Sequence, residues 1–433
     1  FHRQPAGSLF MTQRNGLIII LDGLGDRPIA AFAGATPLEA ARTPNLDELV
    51  SRGRCGLVDP LYPGVPVSTH TGVGVLFGIN TRDAYKLPRG PVEAAGTGLP
   101  IMPGDIALRC NFATLKTDAD SLAVIDRRAG RIHSDTAELA DALQEITLDD
   151  GFSASVRPAT GHRAVMRLSG PGPLPVVSDT DPGAGARCTH VLACHALDTD
   201  NPLGEQTAHA INAFIHAAHQ RLDDHPVNRR RVQQGLLPAN GIITRGAGSI
   251  KKLHNIIHHL GLGTALVAGE RTIIGLAHLS NFAVISKPEF TSMSNTSLES
   301  KISATLTALQ DHDLVYLHIK APDIFSHDRD PEGKKAFLEK VDEALAPLLQ
   351  EDIVIGVSAD HSTDCNTGRH CGDPVPSLLC APGGRRDLCR EFGETQCITG
   401  GLGRIPARAF LLSLLDEMGR MQNYRTLDSP YYL

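Results

Sequence analysis

Leu17-Ile18-Ile19-Ile20-Leu21 is an unbroken apolar run, closed by the turn signal Asp22-Gly23. A short run without alternation predicts a strand covered on both faces, as in a parallel sheet. Leu314-Val-Tyr-Leu-His-Ile319 and residues 352–358 read the same way. Residues 43–50 predict a helix, with Thr43 as N-cap and Pro44 at the first helical position. Each of the three strands runs into acidic and imidazole residues: Asp22, then Lys320 to His327, then Asp360-His361. In open α/β sheets, ligands collect off the carboxyl ends of strands. The expectation is therefore an α/β protein with a doubly wound, mostly parallel sheet and a polar edge.

Residues 83–240 interrupt this pattern. The stretch has strand and helix periodicities of its own and many arginines. It is too long for a connection, since structureless loops beyond about 15 residues are uncommon. A second, smaller α/β or α+β domain at 83–240 is expected, inserted into a first domain built from 11–82 and 241–433. His225-Pro-Val-Asn-Arg-Arg-Arg231 to Pro238 reads as the returning linker. Residues 1–10, before Met11, show no periodicity and read as a tag or disordered tail.

Composition narrows the function classes. The 433 residues carry a formal charge of -7, with 42% hydrophobic and 4% aromatic residues and no Trp. That balance disfavours nucleic-acid binding, which needs basic patches or stacking rings. Long apolar runs of membrane-spanning length are absent. Nine Cys is an odd number, no secretory signal precedes the first strand, and no C-x-x-C pair occurs. A reduced, cytoplasmic protein without a disulfide framework is expected. Cys365 and Cys371 lie close to a His, but their spacing fits no common zinc finger.

The chemistry rests on Asp22, Asp323-x-x-x-His327, Asp360-His361 and His370. An isolated Asp-His pair is usually a satisfied polar pair. Here each group follows an apolar strand, and none is needed to stabilise one. Carboxylate and imidazole donors together suit manganese or zinc, whereas magnesium prefers more oxygen. With a hydroxyl added, the donors suffice for two divalent ions, which can stabilise attacking and leaving oxygens in a phosphoryl displacement.

These residues lie within longer motifs. Asp22-Gly-Leu-Gly-Asp26-Arg-Pro, Thr36-Pro-Leu-Glu-Ala-Ala-Arg-Thr-Pro-Asn-Leu-Asp47, Asp126-Arg-Arg-Ala-Gly-Arg-Ile132, His318-Ile-Lys-Ala-Pro-Asp323, Asp360-His-Ser-Thr363 and His370-Cys-Gly-Asp-Pro-Val-Pro376 follow one another along the chain. Together they resemble the archaeal-type cofactor-independent phosphoglycerate mutases, within the alkaline phosphatase superfamily. The resemblance implies an alkaline-phosphatase-like domain holding two divalent metals, manganese by habit, and an inserted domain that binds a three-carbon acid. It implies that Asp323, His327 and His370 hold one metal. Asp22, Asp360 and His361 would hold the other, together with the nucleophile.

At the nucleophile the sequence departs from the family, which reads Pro-Gly-Ser-Asp-Thr-x-His. Here the stretch is Val67-Ser68-Thr69-His70-Thr71-Gly72-Val73. Ungapped counting puts Thr69 at the attacking position and also as a metal ligand, with Ser68 the alternative. A hydroxyl attacks phosphorus well once partly deprotonated, and Thr can serve as Ser does. Both hydroxyls could instead be helix N-caps. The family Asp becomes His70, a candidate proton carrier with its near-neutral titration. Lys320 beside the metal motif is expected to neutralise transition-state charge.

Arginine forks match carboxylate and phosphate. Arg109, Asn111, Arg127, Arg128, Arg131, His162, Arg163, Arg231 and Arg245 are the candidate substrate set, with Arg231 one of three adjacent choices. Arg245-Gly-Ala-Gly248 lacks the spacing of a phosphate-cradling P-loop. Asp179-Thr-Asp181-Pro in the inserted domain also resembles a motif of the family, with turn chemistry as the plainer alternative.

The changed residues beside the nucleophile favour a metal-dependent phosphoryl- or phosphonoyl-transferase working through a covalent Thr intermediate. Its donor would be a phosphorylated or phosphonate small molecule, a nucleotide-activated conjugate among the candidates, and its acceptor glycerate-like. The alternatives are a true mutase interconverting 3- and 2-phosphoglycerate, and a metal-dependent phosphatase or phosphodiesterase. A catalytically dead binding protein is disfavoured, because the metal-ligand set is intact.

Overall fold

A computed structural model describes residues 13–421 apart from residues 103, 120, 184–188 and 250–252. The expected tail at 1–10 lies outside the described residues. The chain forms two compact units. One takes its residues from the chain up to Lys86 and from Leu253 onward, and the other begins at Leu87.

The first unit is built on an eight-stranded sheet. Its strands, in spatial order, are Ala283–Ile285, Thr264–Val267, Leu314–Ile319, Gly16–Leu21, Val354–Ser358, Val375–Cys380, Arg54–Asp59 and Gly403–Pro406. Neighbours run parallel except at Val375–Cys380, which is antiparallel to both of its partners. The apolar runs therefore occupy the centre of a mostly parallel sheet. Leu17 to Leu21 and Leu314 to Leu317 are fully buried, as two-sided cover requires.

Register decides where the polar edge falls. Leu21 pairs with Ile319, and Ile20 pairs with Ser358. Three adjacent parallel strands thus end at the same level, and the residues just past them are Asp22, Lys320 and Ala359-Asp360. Gly23 turns the chain away at φ 65°, a left-handed conformation that glycine adopts at little cost. The helix Pro44–Arg52 forms as expected, although Thr43 makes no side-chain cap bond.

The second unit holds an antiparallel sheet, so α+β describes it. The long strand Ile106–Asp118 pairs with Ser121–Asp126, Arg163–Ser169 and Gly241–Ser249. Ser153–Pro158 and Ile146–Thr147 extend it. Helix Pro202–Asp223 contributes Ile211, Phe214, Ile215, Ala218 and Leu222 to the core, at helical spacing. Two expectations shift here. Residues 241–249 were assigned to the first domain, but their hydrogen bonds to Ile106–Asp118 tie them to the second. The stretch read as a linker contains the helix Pro226–Gln233, which buries Val227, Asn228 and Arg231. Among the described residues, no helix is long and apolar enough to cross a membrane.

Candidate active site

Two triads of ligating side chains form at the edge of the first unit. Asp22, Asp360 and His361 make one, and Asp323, His327 and His370 make the other; within each, the ligand atoms lie within 4.8 Å of one another. The first comes from the ends of two neighbouring strands. The second combines the short helix Ala321–His327 with the strand Arg369–Cys371. The i, i+4 spacing of Asp323 and His327 puts both on one face of that helix.

Two groups join the triads. Lys320 Nζ donates to Asp22 Oδ1 at 2.9 Å and to Asp323 Oδ2 at 2.6 Å. Thr363 Oγ1 donates to Asp323 Oδ1 at 2.7 Å and lies 3.0 Å from His361 Nδ1. The rings of His361 and His370 stack, with centroids 3.6 Å apart.

Thr69 opens the helix Thr69–Leu76, with Ser68 at the N-cap position. Thr69 Oγ1 lies 3.1 Å from His361 Nε2 and 3.4 Å from Lys320 Nζ. Ser68 Oγ instead meets His70 Nδ1 at 3.0 Å and Thr71 Oγ1 at 3.1 Å, and it makes no cap bond. Of the two hydroxyls, the structure brings Thr69 to the triads. The approach depends on Gly72: a Cβ there would lie 1.9 Å from the Asp360 carbonyl oxygen, so the backbones can touch only at glycine. His70 is buried beside Ser68.

Electrostatics follow from the crowding of carboxylates. Burial works against the Lys320 ammonium, but Asp22, Asp323 and Asp360 outweigh it and hold its pKa above the ordinary lysine range. Burial likewise opposes the charge on Asp323 and Asp360, yet His327 and Lys320 lower the first, and His361 and Lys320 lower the second. His361 is raised because Asp360 and Asp22 overcome its burial. His327 is raised chiefly by its hydrogen bond to Asp323, whereas burial and the charge of His361 lower His370.

The donor set fits divalent cations. His327 Nδ1 lies 2.9 Å from the Gly368 carbonyl, and His370 Nδ1 lies 2.7 Å from the Val67 carbonyl. Those bonds place the Nδ1 protons and turn both Nε2 atoms inward, where they face each other at 3.3 Å. Two lone pairs at that distance repel unless a proton or a cation lies between them. Asp360 Oδ2 is buried, and its one close partner is His361 Nε2 at 3.0 Å, another ligating atom of the same triad. Three carboxylates and three imidazoles supply the oxygen and nitrogen donors that manganese and zinc accept.

The remaining candidates divide. Arg109 and Arg245 pair across neighbouring strands of the second unit. Arg109 Nε is 2.8 Å from Glu93, and Arg245 Nε is 3.9 Å from Asp181. Burial and the neighbouring Arg109 lower the Arg245 pKa, so this pair is short of counter-charge. Arg127 is forked onto Asp181 at 2.7 and 2.6 Å, which gives Asp181 a structural task beyond a turn. Asn111 holds the Arg127 carbonyl at 3.3 Å. His162 is pushed down to about 4 by burial and by Arg163, Arg128 and Arg245. Arg128 and Arg131 are exposed, the latter at φ 60°. Arg231 departs from expectation: its guanidinium is tied to the carbonyls of Leu237 and Ala129 at 3.0 and 3.1 Å and braces the loop that carries Arg131.

Several contributors escape sequence reasoning. His318 lies 3.0 Å from Asp22 Oδ2 through Nε2. A polar residue inside an apolar strand was the available signal. Lys334 is fully buried and donates to Asp26 Oδ2 and the Gly23 carbonyl, both at 2.8 Å. Helical periodicity gives no hint of that.

An α/β fold with acid–imidazole triads and a hydroxyl off the carboxyl ends of parallel strands defines a class suited to phosphoryl chemistry. Comparison with known proteins gives the family. Residues 50–228 match the model of 2,3-bisphosphoglycerate-independent phosphoglycerate mutase. The chain is 42% identical over 405 residues to 2,3-bisphosphoglycerate-independent phosphoglycerate mutase 1 of Archaeoglobus fulgidus, covering 92% of this chain and 97% of that relative. A solved protein of Pyrococcus horikoshii is 30% identical with a TM-score of 0.80, covering 96% of this chain and all (100%) of that one. The cofactor-independent phosphoglycerate mutase of Thermoplasma acidophilum is 32% identical with a TM-score of 0.71, over 93% of this chain and 99% of that one. The chain belongs to the 2,3-bisphosphoglycerate-independent phosphoglycerate mutase family.

Proposed function

We propose that the protein interconverts 3-phosphoglycerate and 2-phosphoglycerate by way of a phosphorylated Thr69. The named relatives favour this intramolecular reading over transfer from a nucleotide-activated phosphonate. The observation that carries it is Thr69 Oγ1 within 3.1 Å of His361 and 3.4 Å of Lys320, between the two triads.

Asp22, Asp360 and His361 would hold one divalent ion and Asp323, His327 and His370 a second, with manganese or zinc suited to the donors and magnesium admitted. Such ions supply Lewis acidity toward phosphoryl oxygens and lower the pKa of a nearby hydroxyl. Thr69 Oγ attacks phosphorus and gives up its proton, a new O–P bond forms, and the bond to the C3 oxygen breaks. The departing C3 oxygen takes a proton. In the second half the C2 hydroxyl attacks phospho-Thr69, the Thr–phosphorus bond breaks, and Thr69 regains its hydroxyl. Lys320 keeps its ammonium beside the transferring group and offsets its charge. Arg109 and Arg245 carry the unbalanced positive charge that suits the carboxylate of a three-carbon acid.

The test supplies 3-phosphoglycerate alone, with manganese. Formation of 2-phosphoglycerate without free phosphate is expected. Thr69→Ala should lower kcat on the order of 10⁵-fold, the scale of losing a covalent nucleophile. Ser68→Ala should stay within about tenfold, as a neighbour that touches no reacting atom. Phosphate release alone would indicate a hydrolase, and turnover only with a second donor would indicate a transferase; either overturns the mutase reading. Full activity in Thr69→Ala overturns the nucleophile.

A further inference from the structure

A second cluster of side chains of metal-ligating type lies away from the Asp/His edge, towards the other end of the large sheet's strand order. Cys55 sits on the strand Arg54–Asp59, and Cys389 and Asp387 lie in the stretch after Val375–Cys380. The two sulfurs and an Asp387 oxygen are all within 4.8 Å of one another. The Cys397 thiol, from the helix Glu394–Ile398, is a near neighbour that helps to raise the Cys55 pKa, although it stands outside that group of three. All three thiols are buried, with Cys55 and Cys397 0% exposed and Cys389 2%.

Asp387 is held as an anion in this setting. Its Oδ2 accepts the N–H groups of Cys55 and Gly401 at 2.8 and 2.7 Å, and its Oδ1 accepts that of Cys389 at 2.9 Å. Among the described residues, no lysine, arginine or histidine makes an ion pair with it. The thiols have only weak partners. Cys389 Sγ donates to the Gln396 carbonyl at 3.3 Å, and Cys397 Sγ to the Ser377 carbonyl at 3.8 Å. The cluster gathers a carboxylate lacking a counter-ion and three soft donors that could become anionic.

The surrounding chain has need of a cross-link. Between Cys380 and Glu394 it runs without a helix or strand. Connections of that length inside a compact unit usually have a function or a fastening. Asp387 and Cys389 join this stretch to an interior strand, and Cys397 joins the helix that follows it.

We propose that Cys55, Asp387, Cys389 and Cys397 form a structural zinc site that clips residues 381–402 to the strand Arg54–Asp59. Thiolate donors select zinc over the harder cations suited to the Asp/His triads. Zinc–sulfur bonds of about 2.3 Å put tetrahedral donors about 3.8 Å apart, within reach of the spacing of Cys55, Asp387 and Cys389. On binding, each thiol releases its proton to solvent and the sulfur becomes a ligand, with no change in oxidation state. With Cys397 turned in as the fourth donor the set would be closed by protein, the mark of a structural site. It stands independently of the mutase reading.

Cobalt(II), loaded into the full chain as a spectroscopic substitute for zinc, tests the proposal. Thiolate ligands give cobalt a near-ultraviolet charge-transfer band, and the oxygen and nitrogen ligands of the triads give none. The wild type should show the band, zinc should bleach it, Cys389→Ser should lose it, and Asp323→Asn should keep it. Should Cys389→Ser fail to fold, alkylation of the wild type decides. A chelator should raise the labelling rates of Cys55, Cys389 and Cys397 at least about tenfold over the zinc-loaded protein, and leave Cys110 unchanged. A wild type with no charge-transfer band overturns the site. So do a band that survives Cys389→Ser, labelling indifferent to the chelator, and a native disulfide between Cys55 and Cys389.

Discussion

The two triads at the sheet edge use similar donors in opposite surroundings. Asp22, Asp360 and His361 are wholly buried. They are gripped from several directions: Gly23 N–H lies 3.3 Å from Asp360 Oδ1, His318 and Lys320 reach Asp22, and Thr363 meets His361 Nδ1. In the other triad only Asp323 is buried, and the side chains of His327 and His370 are 43% and 23% exposed. Those imidazoles hang from backbone carbonyls. One triad is thus a permanent feature of the folded core, with its charge organised before any ligand arrives. The other can exchange what it holds with solvent at little cost to the fold. If the triads hold cations as proposed, a site built this way would keep one and admit the second on demand.

The largest effect that could break this comparison is on activity. Asp360→Asn should lower kcat/KM on the order of ten-thousandfold at saturating manganese, because several kcal/mol of transition-state stabilisation are lost and each 1.4 kcal/mol is a factor of ten. His327→Gln should cost about a hundredfold, and excess metal should recover part of that. Rates measured over a manganese titration check both. Equal losses that no metal concentration relieves would mean the triads are equivalent.

A smaller effect concerns what lies behind the buried triad. Lys334 and Asp26 form a fully desolvated ion pair, with Nζ 2.8 Å from Oδ2, and the same ammonium fixes the Gly23 carbonyl next to Asp22. Lys334→Met leaves the Asp26 carboxylate buried without its partner and should cost about 3–5 kcal/mol of stability. Combining it with Asp26→Asn should return much of that. Urea midpoints of the single and double variants measure it. A Lys334→Met protein with an unchanged midpoint would show that the rigidity of the buried triad comes from elsewhere.

How much of this was legible beforehand depends on the physical signal. The three central strands declare themselves because two-sided burial leaves no alternation, and the residues that follow each run, Asp22, Lys320 to His327 and Asp360-His361, sit where a parallel sheet delivers ligands. Family resemblance supplied the division of these donors, with His327 and His370, between two metals, and the choice of Thr69. Strand pairing between distant segments carries no local signature, so Gly241–Ser249 was placed in the wrong domain. Polar groups with internal partners are equally silent. Arg231 looks like any other arginine fork until Leu237 and Ala129 are seen to occupy it, and the Lys334–Asp26 pair joins residues far apart along the chain. Sequence reveals which groups are exceptional for their element, and packing alone reveals which are already engaged.

The subtlest way to sharpen the comparison is through pH. Glu394 accepts the Asp26 N–H at 3.1 Å and the Thr36 hydroxyl at 2.7 Å, so it adjoins the network that braces the buried triad. Burial pushes its carboxyl up to about 7, against the lowering pull of Thr36 and with help from nearby Glu39. The sign follows from proton counting. Between the ordinary glutamate range and pH 7 the folded state keeps a proton that the unfolded chain has lost, so stability falls as pH rises. The contribution is fully present below the unfolded pKa and lost on passing through 7, at most about 3 kcal/mol in all. Glu394→Gln cannot ionise and should lack that slope. Urea midpoints from pH 5 to pH 8 should therefore converge or cross, with the wild type losing ground to the variant as pH rises. Manganese release from the exposed triad should depend on Glu394 far less, because its imidazoles are held by Gly368 and Val67 and not by the Asp26–Lys334 network. Parallel stability curves for wild type and Glu394→Gln would remove Glu394 from the bracing of the buried triad and leave Lys334 and Asp26 to account for it alone.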